Sequence, residues 1–241
     1  MKRNIAFLFV LVFVITFSSN VQAQKRTHKR AVQTKTAQQV EPPADVLAAK
    51  QRLSDLGYWV GPVNDKSDTY LRQSLIAFQK VEGRPRTGKL TADELQALQS
   101  AKRPEPLEKT GNEHVEVDLQ RQVLFVVDGQ GAVSSILPVS TGSGKMFTSE
   151  GRTRKAVTPT GQFKITRKIK AMHKSPLGLL YYPNYLVDGI AIHGNPSVPS
   201  TPASHGCIRI PMYAAVEFTN RMPIGTPVTV YRSDVNVQTS H

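Results

Sequence analysis

The hydrophobic period of this 241-residue chain changes once, at a stretch carrying Pro104 and Pro106, and that change divides what the chain can fold into. Upstream, apolar residues recur at helical spacing, with Val46, Ala49, Leu53 and Leu56 on one face and Gly57 as a stop. Asp68 caps a second helix through Tyr70, Leu71, Leu75, Ile76 and Phe78, which Gly83 closes. Thr91, with Glu94 three residues on, forms a capping box for a third. Downstream of Glu113 the period falls to two. His114–Leu119 alternates, Val123–Val127 is a compact apolar run, and Asp128-Gly129 is a turn before Ala132–Leu137. Gln162–Lys170, Tyr185–Asp188, Ile190–Ile192 and Pro227–Tyr231 supply further strands, and Met212–Arg221 one helix. The expected fold is multidomain α and β: a small three-helix domain at 45–100, a linker at 101–112 and a mostly β domain at 113–232. The β domain is sandwich- or barrel-like with one main helix, and a loose tail follows at 233–241.

The first residues read as an export signal. Lys2 and Arg3 precede the apolar run Ile5–Phe17, and Val21-Gln22-Ala23 offers a small-residue cleavage site. That run is shorter than the roughly twenty residues a membrane-spanning helix needs, although an uncleaved anchor is the alternative. Residues 1–23 are therefore assigned to a signal peptide cut after Ala23, placing the chain in the periplasm or cell wall. Residues 24–44, with Lys25-Arg26 and Lys29-Arg30 and no apolar periodicity, read as a basic flexible tether. The chain carries 31 Lys plus Arg against 18 Asp plus Glu, a net charge of +13. For an exported protein the counter-charges are anionic wall polymers, lipid head groups or acidic peptides. Nucleic acid is set aside, since no nucleic-acid-binding motif accompanies the charge.

Cys207 is the only cysteine. It lies two residues after His205, two before Arg209 and fourteen after His193, in a polar loop between apolar runs. An unpaired cysteine in an exported chain is a reactive-thiol candidate, and neighbouring histidine and positive charge would lower its pKa. Cys207 is thus the candidate nucleophile. Gly206 permits close approach of a substrate, and the Gly206 and Cys207 N–H groups are the expected oxyanion donors.

The pair His193-Gly194 followed by Ser204-His205-Gly206-Cys207-Ile208-Arg209 strongly resembles the signature of the L,D-transpeptidase (YkuD-like) catalytic domain. Ser140-Thr141-Gly142 and Thr158-Pro159-Thr160-Gly161-Gln162-Phe163 resemble that family's recurring turn and strand. The resemblance covers nearly all of 113–232 and implies His193 as the base. His205 supports the site by orienting it or shaping the pocket. Gly194, Ser204 and Arg209 are assigned to substrate binding, with two further options left open: Arg209 fixing the loop and Ser204 bonding within it. Upstream, Leu53-x-x-Leu56-Gly57-Tyr58, Gly61-Pro62-Val63, Ala77-Phe78-Gln79 and Thr87-Gly88-x-Leu90 resemble the type 1 peptidoglycan-binding domain. The chain departs from that pattern at Asn64–Asp68, where the family has an Asp-Gly turn, which leaves glycan binding open.

What the resemblance implies is acyl transfer on peptidoglycan tetrapeptide stems through a Cys207 thioester, forming wall cross-links, with neither metal nor organic cofactor. Water as acceptor would make the same site an L,D-carboxypeptidase, and a protein amine would attach that protein to the wall. Two rivals share the residues. A zinc hydrolase could use His193, His205 and Cys207 as ligands, but no Asp or Glu lies within 192–210 to serve as base. A non-catalytic wall-binding protein would have no use for the thiol.

Overall fold

The computed structural model describes residues 43–233; the expected signal peptide at 1–23, most of the expected tether at 24–44 and the tail from 234 lie outside them. Three helices come first: α1 (Pro43–Asp55), α2 (Thr69–Val81) and α3 (Ala92–Ser100). The Asp68 side chain accepts from Leu71 N at 2.9 Å and caps α2. Thr91 Oγ1 accepts from Glu94 N at 3.2 Å and caps α3. The expected box is only half formed, because both Glu94 carboxylate oxygens accept from Arg84 Nε at 3.1 Å instead of turning back to Thr91. None of the described helices is long and apolar enough to cross a membrane.

Twelve strands follow among the described residues. The first sheet has the order β3-β2-β1-β12-β6, from β1 (His114–Asp118), β2 (Val123–Val127), β3 (Val133–Pro138), β6 (Gly161–Lys164) and β12 (Pro227–Tyr231). Strands β1 and β12 run parallel and every other pair in it is antiparallel. The second has the order β11-β10-β9-β7, from β7 (Arg167–Lys168), β9 (Gly178–Val187), β10 (Ile190–Asn195) and β11 (Ile208–Pro211), with β8 (Met172–Ser175) on β9. A separate hairpin joins β4 (Met146–Ser149) to β5 (Arg152–Lys155), and α4 (Met212–Arg221) follows β11 directly.

Strand β2 explains its own continuous apolar run. Val123, Phe125 and Val127 face the helices and share a core with Leu53, Leu71, Leu75 and Phe78. Leu124 and Val126 face the other way, into a core with Ile192, Ile208 and Ile210 of the second sheet and Phe218 of α4. A strand covered on both sides has no polar face to alternate with. Fully burying each such side chain contributes about 1.5–3 kcal/mol. The mostly β region is therefore a sandwich, with the helices packed on its outer side. A buried cation lies at that contact. Lys80 Nζ donates to the Gln122 and Val139 carbonyls at 3.0 and 2.8 Å, and burial pushes its pKa down to about 7.

One expected strand is two. Gln162–Lys170 divides between sheets because the backbone changes partner at Ile165 and Thr166. Ile165 N donates to Thr226 O, whereas Thr166 N donates to Tyr185 O. The Tyr185–Asp188 strand extends back to Gly178, a stretch whose polar and proline residues hide it from pattern reading.

Candidate active site

Parallel pairing of β10 and β11 sets Ile192 opposite Ile208 and His193 opposite Arg209. Because side chains alternate, the isoleucines enter the core under α4, while Ala191, His193, Cys207 and Arg209 emerge on the other face. There His193, Cys207 and Arg209 line a cavity of about 450 Å³. The β4–β5 hairpin forms a second wall through Phe147, Arg154 and Lys155, and the β8–β9 hairpin a third through His173 and Leu180.

His193 is 2 % exposed. Its Nδ1 lies 2.9 Å from Gly194 O. A carbonyl can only accept, so Nδ1 carries the proton and Nε2 is left as a basic lone pair. Burial, the largest influence, pushes the His193 pKa down to about 4; the Gly194 carbonyl opposes this and the Arg209 charge adds to it. The imidazole is therefore neutral at physiological pH.

Cys207 is half-buried against Leu180, Tyr185 and Ala191. Burial pushes its pKa up, outweighing the Ala191 backbone N–H and the Arg209 charge, which both favour the thiolate. This corrects the expectation of a lowered pKa: the hydrophobic neighbours come from distant segments and dominate the nearby charge. The thiol also donates to Gly189 O, at 3.7 Å, and not to the imidazole.

The loop before Cys207 is braced from two sides. Ser204 Oγ donates to Cys207 O at 2.6 Å and accepts from Gly206 N at 3.0 Å. The Gly206 N–H is thus occupied, which corrects its expected place as an oxyanion donor. Cys207 N has no hydrogen-bond partner among the described residues. Gly206 has φ +141°, and a Cβ there would lie 2.8 Å from Ile190 Cδ1, so its role is conformational. Thr158 Oγ1 donates to Gly206 O at 2.6 Å and accepts from Gly142 N at 2.9 Å. Ser140 pairs with Arg209 and Gly142 with Ser204 as isolated bridges. The two supporting turns noted in the sequence therefore act as a scaffold for the Cys207 loop, a role sequence spacing alone could not assign.

The remaining expected residues fall in different places. His205 is exposed at the cavity edge, its ring 4.8 Å from that of Phe147. Gly194 is buried on the α4 side, where a Cβ would meet Ala215 Cβ at 2.7 Å. Its carbonyl holds the His193 ring, and the residue lies outside the cavity lining, away from the place its assignment to substrate binding expected. Ser204 lines the cavity but its hydroxyl is held within the loop. The Arg209 backbone is fixed by Ser140, and its guanidinium forms no hydrogen bond or ion pair among the described residues. No group of three His, Cys, Asp or Glu among those residues is arranged to hold a metal ion.

The family model for the L,D-transpeptidase catalytic domain matches residues 112–230, and that for a peptidoglycan binding domain matches 42–98. A crystal structure of the L,D-transpeptidase (residues 123–326) from Xylanimonas cellulosilytica is 37 % identical, with a TM-score of 0.74 over 79 % of this chain and 94 % of that one. An L,D-transpeptidase from Stackebrandtia nassauensis is 23 % identical over 79 % of this chain and 92 % of its own, with a TM-score of 0.47. No curated protein matches the chain in sequence. With its catalytic-domain match and a relative of that identity and coverage, the chain belongs to the L,D-transpeptidase family.

Proposed function

We propose that the protein is a cysteine-dependent L,D-transpeptidase that acts on peptidoglycan stem peptides outside the cytoplasm. The observation that carries this is a single one. Cys207 and His193 line one cavity, and Gly194 O holds the imidazole with Nε2 as its free base. The resting site is then a neutral thiol beside a neutral imidazole, not a preformed ion pair.

Rotation of the thiol away from Gly189 O brings its proton to His193 Nε2 as sulfur attacks the carbonyl carbon after the L-centre of a tetrapeptide stem. The C–S bond forms, and the carbonyl oxygen takes negative charge opposite the Cys207 N–H, the donor the loop leaves open. Collapse breaks the C–N bond, and Nε2–H gives its proton to the departing D-residue amine. The stem remains as a thioester. An amine of a second stem then attacks, loses a proton to Nε2 and expels the Cys207 sulfur, which takes that proton back. Arg209, on the same face and without an ion pair among the described residues, receives a substrate carboxylate in bidentate fashion. His205 and Phe147 shape the entrance, and Ser204 and Gly206 keep Cys207 in place.

Support for peptidoglycan as partner comes from the two matched domains and from the basic charge, which suits anionic wall polymers. Water or a protein amine in the second step would give carboxypeptidase trimming or protein attachment by the same chemistry. Intact-protein mass spectrometry with purified tetrapeptide stems tests the whole scheme. The expected result is an increment of one stem minus its terminal D-residue on Cys207, absent from Cys207→Ala, with a cross-linked dimer released when acceptor is added. An unmodified protein that still converts stems would overturn it, and release of tripeptide alone would assign trimming.

A further inference from the structure

Two lysines of the helical region are fully buried, and they differ in what they meet. Lys50 Nζ lies 2.7 Å from the Asp68 carboxylate, so its charge is paired within that region. Lys80 of α2 forms no ion pair among the described residues. It meets the Gln122 and Val139 carbonyls, and both belong to the β domain. Gln122 O also accepts from Val139 N at 3.0 Å, so it would stay partnered without the lysine. A buried ammonium with no counter-charge is costly, and an apolar side chain of similar length would fill the same space without that cost. Fold stability therefore does not account for Lys80.

What the ammonium holds is the strip on which the Cys207 loop rests. Val139 C=O and Ser140 N–H are the two ends of one planar peptide unit. Lys80 Nζ donates to that oxygen at 2.8 Å, and Ser140 N donates to Arg209 O at 3.1 Å. The next unit is held the same way. Thr141 N donates to Gln122 Oε1 at 3.0 Å, and Arg209 N donates to Ser140 O at 3.1 Å. Thr141 O then accepts from Ala203 N at 3.0 Å and from Ser204 N at 2.9 Å. Residues 139–141 thus grip the chain on both sides of Cys207, at Ser204 and at Arg209. A charge at one end of such a run polarises and strengthens the bonds along it. Arg86, beyond α2, adds a direct tie to the loop between His193 and Cys207. Its Nη1 donates to Ser200 O at 3.0 Å, and the neighbouring Thr201 O accepts from Ser140 Oγ at 2.8 Å. Helical region and Cys207 loop are therefore one hydrogen-bonded assembly.

We propose that Lys80 and Arg86 are positioning residues for acyl transfer, through which the helical region sets the place of the Cys207 loop. The chemical step they serve rests on the transpeptidase reading above; their hold on the loop does not. The test compares the full chain with Lys80→Met, which removes both bonds and the buried charge while keeping the length of the side chain. Amide hydrogen exchange across residues 203–209 should run about tenfold faster in the variant, with β1 and β2 unchanged. Steady-state release of the D-residue should show kcat lower by about tenfold, with the loss in kcat and not in KM. The melting temperature should be no lower than that of the unaltered chain. Arg86→Ala should lower kcat in the same way, and Arg86→Lys, which can still donate to Ser200 O, should restore it. Unchanged kcat or unchanged exchange at 203–209 in Lys80→Met overturns the inference. So does a kcat that falls only in step with the melting temperature, in Lys80→Met or in Arg86→Ala. Quickened exchange in the variant, with stems left untouched by the unaltered chain, would sink the catalytic reading alone. Equal stem turnover by the unaltered chain and both variants would sink the positioning role alone.

Discussion

The β10–β11 pair has two faces of opposite character. On one, Ile192, Ile208 and Ile210 are fully buried beneath α4, where shape is the only requirement. On the other, Ala191, His193, Cys207 and Arg209 lie one residue out of phase with them and face the cavity. The difference teaches that structure and chemistry are assigned by parity within strands a few residues long. A slip of one position would turn His193, Cys207 and Arg209 into the core and the isoleucines toward the cavity, so the hydrophobic face fixes the register of the polar one. The Thr158 and Ser140–Gly142 braces hold the same register from the loop side.

Substitutions on the two faces should therefore separate cleanly. The largest effect is expected from Cys207→Ala, which should abolish thioester formation and turnover while leaving the melting temperature within about 2 °C, as a half-exposed side chain allows. Next, His193→Ala should lower kcat by about 10²–10⁴ through loss of the base, measured by steady-state release of the D-residue. On the core face, Ile208→Ala should cost about 2–5 kcal/mol in denaturant unfolding, with kcat per folded molecule little changed. If Ile208→Ala instead matched His193→Ala in turnover at full folding, the division between the faces would fail.

The smallest effect is a pH dependence of stability. His193 titrates near 4 when folded and near 6.5 when unfolded, so between those values only the unfolded chain holds the proton. Stability is then complete above pH 6.5 and falls as pH drops toward 4, by at most about 1.4 kcal/mol per pH unit. Thermal melts of His193→Gln should lack that component, and identical pH slopes in both proteins would contradict it.

Much of the architecture was legible in the sequence. The Asp68 and Thr91 caps, the apolar β2 run and the α4 boundaries all follow from local spacing, whereas the cover on both faces of β2 comes from distant segments. The thiol and its upstream histidine were legible too, since a proline-bearing loop returns the chain from His193 to Cys207. The β4–β5 wall was not. Arg152–Lys155 is exposed throughout and carries no apolar alternation, so pairing there leaves no mark on the sequence. Nor was the direction of the Cys207 pKa. Counting nearby charges favours the thiolate, whereas burial by Leu180 and Tyr185 depends on contacts far along the chain. The Gly206 N–H shows the converse, a local hydroxyl two residues away taking a donor that motif reasoning left free.

The neutral state of the Cys207–His193 pair can be measured directly by the pH dependence of iodoacetamide alkylation, with Cys207 as the sole thiol. A neutral pair predicts a rate that rises only above the ordinary cysteine range, with no reactive plateau between pH 5 and 7 in the unaltered chain or in His193→Gln. A plateau of fast alkylation near pH 6 that vanishes in His193→Gln would mean a thiolate–imidazolium pair at rest, and would contradict the site described.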